Sequence, residues 1–324
     1  MRTSHRVAGL FAAALTVAAA ACGPTHAGAT GGADPFAGQK LYVDPQSPAA
    51  ENANSMRQSN PHDAAELDKI AHAPQADWFG DWNSTDQVKS TVARRGRTIH
   101  DAGALPVFVV YDIPERDCNG YSGGGAPSPA AYRTWIRNFT AGVGTGRAAI
   151  VLEPDALAMM DCLSAADQAT RLSLLRYAVQ TLTSHPRTAV YVDAGHSGWI
   201  PADQMAVRLR EADVADARGF SLNVSNFDRT GVERSYGHDI AAAVGDKHFV
   251  IDTSRNGRGS NGDWCNPPGR ALGTRPTSTT GDASVDAYLW LKRPGDSDGA
   301  CNGGPAAGQW WNDYAIGLAE RAAY

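Results

Sequence analysis

Six short runs of nearly unbroken apolar residues recur along the chain: 105–111 (LPVFVVY), 148–152 (AAIVL), 188–192 (TAVYV), 219–224 (GFSLNV), 248–251 (HFVI) and 287–292 (AYLWLK). Apolar runs without polar alternation mark strands buried on both faces. Between them the spacing turns helical. Ser84-Thr85-Asp86-Gln87 reads as a capping box opening a helix to about His100. Residues 128–143 are amphipathic, and Ser164 caps a segment to about Ser184 with Leu172, Leu175, Val179 and Leu182 on one face. Segments 202–211 and 309–322 are further helices. Strand–helix alternation predicts a parallel sheet clothed in helices. The chain length and the number of units favour an α/β barrel over an open doubly wound sheet. No G-x-G-x-x-G or Walker pattern follows a strand, so a nucleotide fold lacks its signature.

The N-terminus follows a different pattern. Arg2 and Arg6 precede an uncharged apolar run of 15 residues, Val7 to Ala21, and Ala19-Ala20-Ala21 reads as a cleavage site. That is a signal peptide over 1–22, too short to span a bilayer. Residues 23–33 (GPTHAGATGGA) form a flexible tether, and 34–324 a single domain. Cys22-Gly23 also resembles a lipoprotein junction, but Ala19 stands where a lipobox carries Leu, so plain secretion is preferred over a lipid anchor at Cys22. In an exported chain the four remaining cysteines, Cys118, Cys162, Cys265 and Cys301, favour two disulfides. Three pairings are open, the sequential one being the simplest. No C-x-x-C or H-x-x-x-H spacing supports zinc.

Composition narrows the function. Hydrophobic residues make up 43% and charged residues 19%, which excludes disorder and coiled coil as the main structure. The net charge of −5 leaves no basic patch for nucleic acid. Acidic residues follow the strand runs: Asp112 and Asp117, Glu153 and Asp155, Asp193, Asp252, then Asp296 and Asp298. In barrel enzymes that end of the strands carries the active site, so these side chains are expected to converge on one cleft. His196 is the one histidine following a strand run, so acid–base work is favoured over metal work and no metal or other cofactor is expected. Glycoside hydrolysis uses a carboxylate pair. Aromatic faces that hold sugar rings would account for Trp78, Trp82, Trp199 and Trp264 in loops, while Trp135 and Trp290 belong to the core. Trp310 and Trp311 sit on the last helix, where at most one can turn inward.

Segments 107–126 (VFVVYDIPERDCNGYSGGGA), 150–158 (IVLEPDALA), 191–199 (YVDAGHSGW), 219–227 (GFSLNVSNF), 263–266 (DWCN) and 288–299 (YLWLKRPGDSDG) resemble, in order, glycoside hydrolase family 6, and most of all its actinobacterial secreted endoglucanases. The resemblance implies a distorted seven-stranded parallel (β/α) barrel that hydrolyses β-1,4-glucan with inversion. It makes Asp155 the general acid, Asp117 the carboxylate that raises the acid's pKa, Asp193 a group at the reacting subsite, and Asp298 the candidate base. It places Tyr111 against the distorted sugar, and Trp78, Trp199 and Trp264 at stacking positions. His196, Asn226, Lys292 and Asp296 become polar sugar contacts, and Ser122 lies in a glycine-rich lid. It pairs Cys118 with Cys162 and Cys265 with Cys301. Only 34 residues separate Trp264 from Asp298, too few for tunnel-roofing loops, so an open cleft and internal cleavage by a monomer are expected on soluble or amorphous glucan. A non-catalytic cell-surface glycan binder and a cellobiohydrolase-type exo enzyme are the alternatives.

Overall fold

The computed structural model describes residues 1–5 and 33–324. Apart from residues 1–5 and Ala33, the signal and tether segments, with Cys22, lie outside the described residues. The elements run β1 (Lys40–Leu41), α1 (Pro48–Met56), α2 (Pro61–Ala71), β2 (Asp77–Gly80), α3 (Thr85–Asp101), β3 (Ala104–Leu105), β4 (Val107–Tyr111), α4 (Pro129–Val143), β5 (Ala148–Leu152), α5 (Ala165–Thr183), β6 (Thr188–Asp193), α6 (Ala202–Glu211), β7 (Gly219–Leu222), α7 (Thr230–Ala243), β8 (His248–Asp252), β9 (Val285–Leu289) and α8 (Asn312–Glu320).

Seven strands form one sheet in the order β2-β4-β5-β6-β7-β8-β9, every pair parallel. The sheet curls into a half-barrel whose outer strands, β2 and β9, form no ladder with each other. The seam is laced instead. Ala76 N–H donates to Trp290 O at 3.0 Å, and the Trp78 indole N–H to Leu291 O at 2.8 Å. Arg293 also reaches Asp77 at 2.8 Å. The α1–α2 hairpin and α8 close over the seam around buried Leu67, Ile70, Trp290 and Leu318. Alternate strand residues serve two cores: Phe108, Val110, Ile150 and Phe220 pack outward under the helices, while Val109, Val151, Tyr191 and Val250 point the other way with Phe36.

All six apolar runs contain strands, with differences that have local causes. Pro106, lacking an N–H, divides 105–111 into β3, which pairs with β1, and β4, which joins the main sheet. The run 219–224 stops at Leu222 because Asn223 turns left-handed, with φ 64°. The seventh strand, β2, has no apolar run: Asp77 opens it, buried against Arg95 and Arg293. Ser128 and Ser164 cap α4 and α5 through Ala131 N–H and Asp167 N–H. Ser84 precedes α3 without making a side-chain cap bond, so the capping box does not form. The last helix starts only at Asn312, so Trp310 and Trp311 precede it in non-helical backbone and both pack, half-buried, on the seam cluster. The disulfides are Cys118–Cys162 and Cys265–Cys301.

Candidate active site

The C-terminal ends of the strands open into a cavity of about 480 Å³. Of the residues expected there, Tyr111, Asp117, Ser122, Asp155, His196, Trp199, Asn226, Trp264, Lys292, Asp298 and Trp78 line it. Trp78 comes from strand β2 and not from a loop, edge-on to Tyr111 at 5.2 Å. Asp296 faces an adjoining cavity, shared with Trp82 and Arg116, that continues the cleft past Trp78. Asp193 does not reach the cavity.

The backbone around the acids is bent to aim them. Glu115, Asp117, Cys118 and Asn119, and Glu153 and Asp155, all have left-handed φ between 45° and 69°. Such conformations cost energy and persist where the surroundings enforce them. Cys118 is tied by its disulfide to the turn before α5, which holds the first of these bends.

Not every strand-end carboxylate serves the cleft. Glu153 is buried and accepts the Asp112 and Ile113 N–H groups at about 3.0 Å, fixing the start of the Asp117 loop. Asp252, also buried, accepts Ser225, Ser254, Leu291 and Lys292 N–H groups, joining the loops after β7, β8 and β9. Asp193, expected at the reacting subsite, lies behind Asp155 instead. Its Oδ2 accepts Asp155 N–H at 2.9 Å and Gly195 N–H at 3.0 Å, and its Oδ1 accepts the Ser221 hydroxyl at 2.9 Å. The expectation that these residues would all converge on the cleft therefore fails for Asp112, Glu153, Asp193 and Asp252. A carboxylate is the acceptor that can gather several loop N–H groups at once.

The carboxylates that do face the cavity have opposite electrostatics. Burial, then the charges of Asp193 and Asp117, push the Asp155 carboxyl well above its ordinary range. Asp298 is also buried, but Arg255 Nη1 at 2.9 Å, Lys292 Nζ at 3.3 Å and Asn266 N–H at 3.0 Å pull its carboxyl below the ordinary value. Asp117 accepts Ser122 N–H at 2.7 Å, closing the glycine-rich loop on itself. Arg116 clamps that loop, donating to Tyr111 O at 2.6 Å, Ser122 O at 2.8 Å and Asp81 at 3.1 Å. At the far rim His196 pairs with Asp228 at 2.8 Å, and Glu233 on α7 accepts Ser197 N–H at 3.0 Å. Arg116, Arg255, Asn266 and Asp228 were not singled out as site residues. Arg116 and Asn266 stand inside the matched R-D-C and D-W-C-N segments, which was the available signal for them.

A carboxyl pushed up and a carboxyl pulled down, lining one cavity with aromatic rings, are the arrangement used by enzymes that cleave glycosidic bonds. The family model of the Glycosyl hydrolases family 6 matches residues 36–322, and the chain belongs to that family. Endoglucanase A of Cellulomonas fimi is 45% identical over 87% of this chain, which spans 61% of that protein's length. Endoglucanase 1 of Streptomyces halstedii is 42% identical over 96% of the chain and 98% of its own length. The solved endoglucanase Cel6 from Mycobacterium tuberculosis, in complex with a thio-linked methyl cellobiosyl-cellobioside, superposes with a TM-score of 0.87 at 49% identity, over 90% of this chain and 100% of that one.

Proposed function

We propose that the enzyme hydrolyses internal β-1,4-glucosidic bonds of cellulose or a related β-glucan with inversion, and that Asp155 is the general acid. The observation that carries this reading is an opposed pair lining one cavity: Asp155, whose carboxyl burial and neighbouring carboxylates push up, and Asp298, whose carboxyl Arg255 and Lys292 pull down. Endoglucanase relatives over nearly the full chain support the substrate class. The exposed rings of Trp82 and Trp264 at the cleft edges fit open, internal access.

In this mechanism Trp78, Trp199 and Trp264 hold sugar rings, and Tyr111 presses on the ring whose anomeric bond breaks. His196, Asn226, Lys292 and Asp296 hydrogen-bond sugar hydroxyls. Asp155 gives its proton to the glycosidic oxygen as the C1–O bond breaks, and water forms the new bond from the opposite face. Asp117 and Asp193 keep Asp155 protonated until that moment. Both Asp298 oxygens are held by cations, so Asp298 is a weak direct base. It orients water and receives the released proton through it, with Ser122 at the loop beside the cavity. Residues 1–22 export the chain, and 34–324 carry the activity.

The test is reducing-sugar release and viscosity loss on carboxymethyl cellulose, with NMR of cellopentaose products. Wild type should release the α-anomer and cut internally. Asp155→Asn should lose at least about a hundredfold in rate. Equal rates in the two proteins would remove Asp155 as the acid. Binding of cello-oligosaccharides with no hydrolysis would remove the enzyme reading.

A further inference from the structure

One cluster at the cleft rim does more than sugar contact requires. His196 follows β6, Asp228 follows β7 and Glu233 sits in the first turn of α7. One ligand atom from each, a ring nitrogen and two carboxylate oxygens, lies within 4.8 Å of the others. His196 Nδ1 is 2.8 Å from Asp228 Oδ2. Glu233 is fully buried: its Oε1 accepts the Ser197 N–H and hydroxyl at 3.0 and 2.5 Å, while its Oε2 has no hydrogen-bond partner. A buried carboxylate oxygen with nothing to accept from is costly. Three such atoms match the ligand set of a borderline-soft divalent ion, which takes three protein ligands and leaves its fourth position open to water. A second His–Asp–Glu group, His62, Asp63 and Glu320, lies away from the cleft and has no buried member.

We infer that His196, Asp228 and Glu233 form a divalent-cation site of the Zn²⁺ class, and that filling it blocks the sugar position at the rim. His196 lines the cavity beside the Trp199 ring, 5.5 Å away, so an ion that takes the His196 ring withdraws it from sugar contact. The ion takes no part in bond cleavage; it competes with the glucan.

The test is calorimetric titration of metal-free full chain with Zn²⁺, paired with glucan hydrolysis. Wild type should bind one tight equivalent. Asp228→Asn and Glu233→Gln should each weaken it roughly tenfold or more, while Glu320→Gln leaves it unchanged. Gln keeps an acceptor for Ser197, and Asp228 is only partly buried, so the pair separates ligand loss from misfolding, which thermal unfolding checks. Zn²⁺ should raise KM at constant kcat, and a chelator should reverse this. Wild-type affinity in both cleft variants, loss in Glu320→Gln, or no binding below millimolar Zn²⁺ would overturn the site. Tight binding without inhibition would overturn the blockade. The inhibition arm rests on the glucanase reading and calorimetry does not, so a chain that binds Zn²⁺ and cleaves nothing fails only that reading.

Discussion

Asp155 and Asp298 carry the same carboxyl group and differ in what faces it: two other carboxylates for the first, Arg255 and Lys292 for the second. The environments predict a bell-shaped pH dependence of kcat/KM. Activity falls at low pH as Asp298 takes a proton and at high pH as Asp155 loses one. Arg255 is fully buried and contacts Asp298 directly, so Arg255→Met raises the Asp298 pKa. The acid limb should then move to higher pH, on the order of one unit, with the alkaline limb in place. An unmoved acid limb would show that Asp298 does not set it. The place of Asp155 at the cavity was legible from the E-P-D stretch that follows β5. Arg255 was visible after β8, but its partner lies 43 residues away and nothing local joins them. The strand-end acids were equally visible, yet their division between cleft and loop support was not. Glu153 and Asp155 are two residues apart, and only the left-handed turns at both decide which one meets solvent.

The loops that carry the acids are held by covalent and ionic ties more than by packing. Cys118–Cys162 fastens the Asp117 loop to the turn before α5, and Cys265–Cys301 fastens the segment whose Asn266 N–H binds Asp298. Replacing Cys118 and Cys162 together by Ala should cost up to about 4 kcal/mol of stability in the chain-entropy model. It should also lower kcat more than it raises KM, because Asp117 and Ser122 move while the tryptophans stay. Thermal unfolding and steady-state kinetics on soluble glucan read both effects. A stability loss with kcat unchanged would reduce the bridge to a general staple. At this scale most of the sheet was legible, because strands buried on both faces leave long apolar runs. β2 was hidden because its four residues include Asp77 and Gly80, and arginines from elsewhere in the chain neutralise Asp77. The α1–α2 pair was hidden because its buried face is largely alanine, although Ser47-Pro48 and Asn60-Pro61 mark both starts.

Across the whole molecule, burial raises many carboxyls. It pushes Asp112 up to about 8, Glu153 and Glu233 to about 7, and Asp193 to about 6. In the unfolded chain all four titrate near 4. Between those values the folded state holds protons that the unfolded state has released, so raising pH favours unfolding. Stability should therefore fall from about pH 5 to pH 8 by a few kcal/mol. Below about pH 4 the opposite sign takes over, as Asp298 loses the charge that Arg255 stabilises. Asp112 contributes most to the slope on the alkaline side. Both its oxygens are buried without a hydrogen-bond partner, and Glu153 and Asp81 oppose its ionisation more than Arg116 assists it. Asp112→Asn cannot ionise, so it should flatten the decline above pH 6 whatever its effect at pH 5. Scanning calorimetry at fixed ionic strength over pH 5–8 compares the two slopes. A wild-type melting temperature that rises with pH, or a variant slope equal to wild type, would place the proton uptake elsewhere than at Asp112.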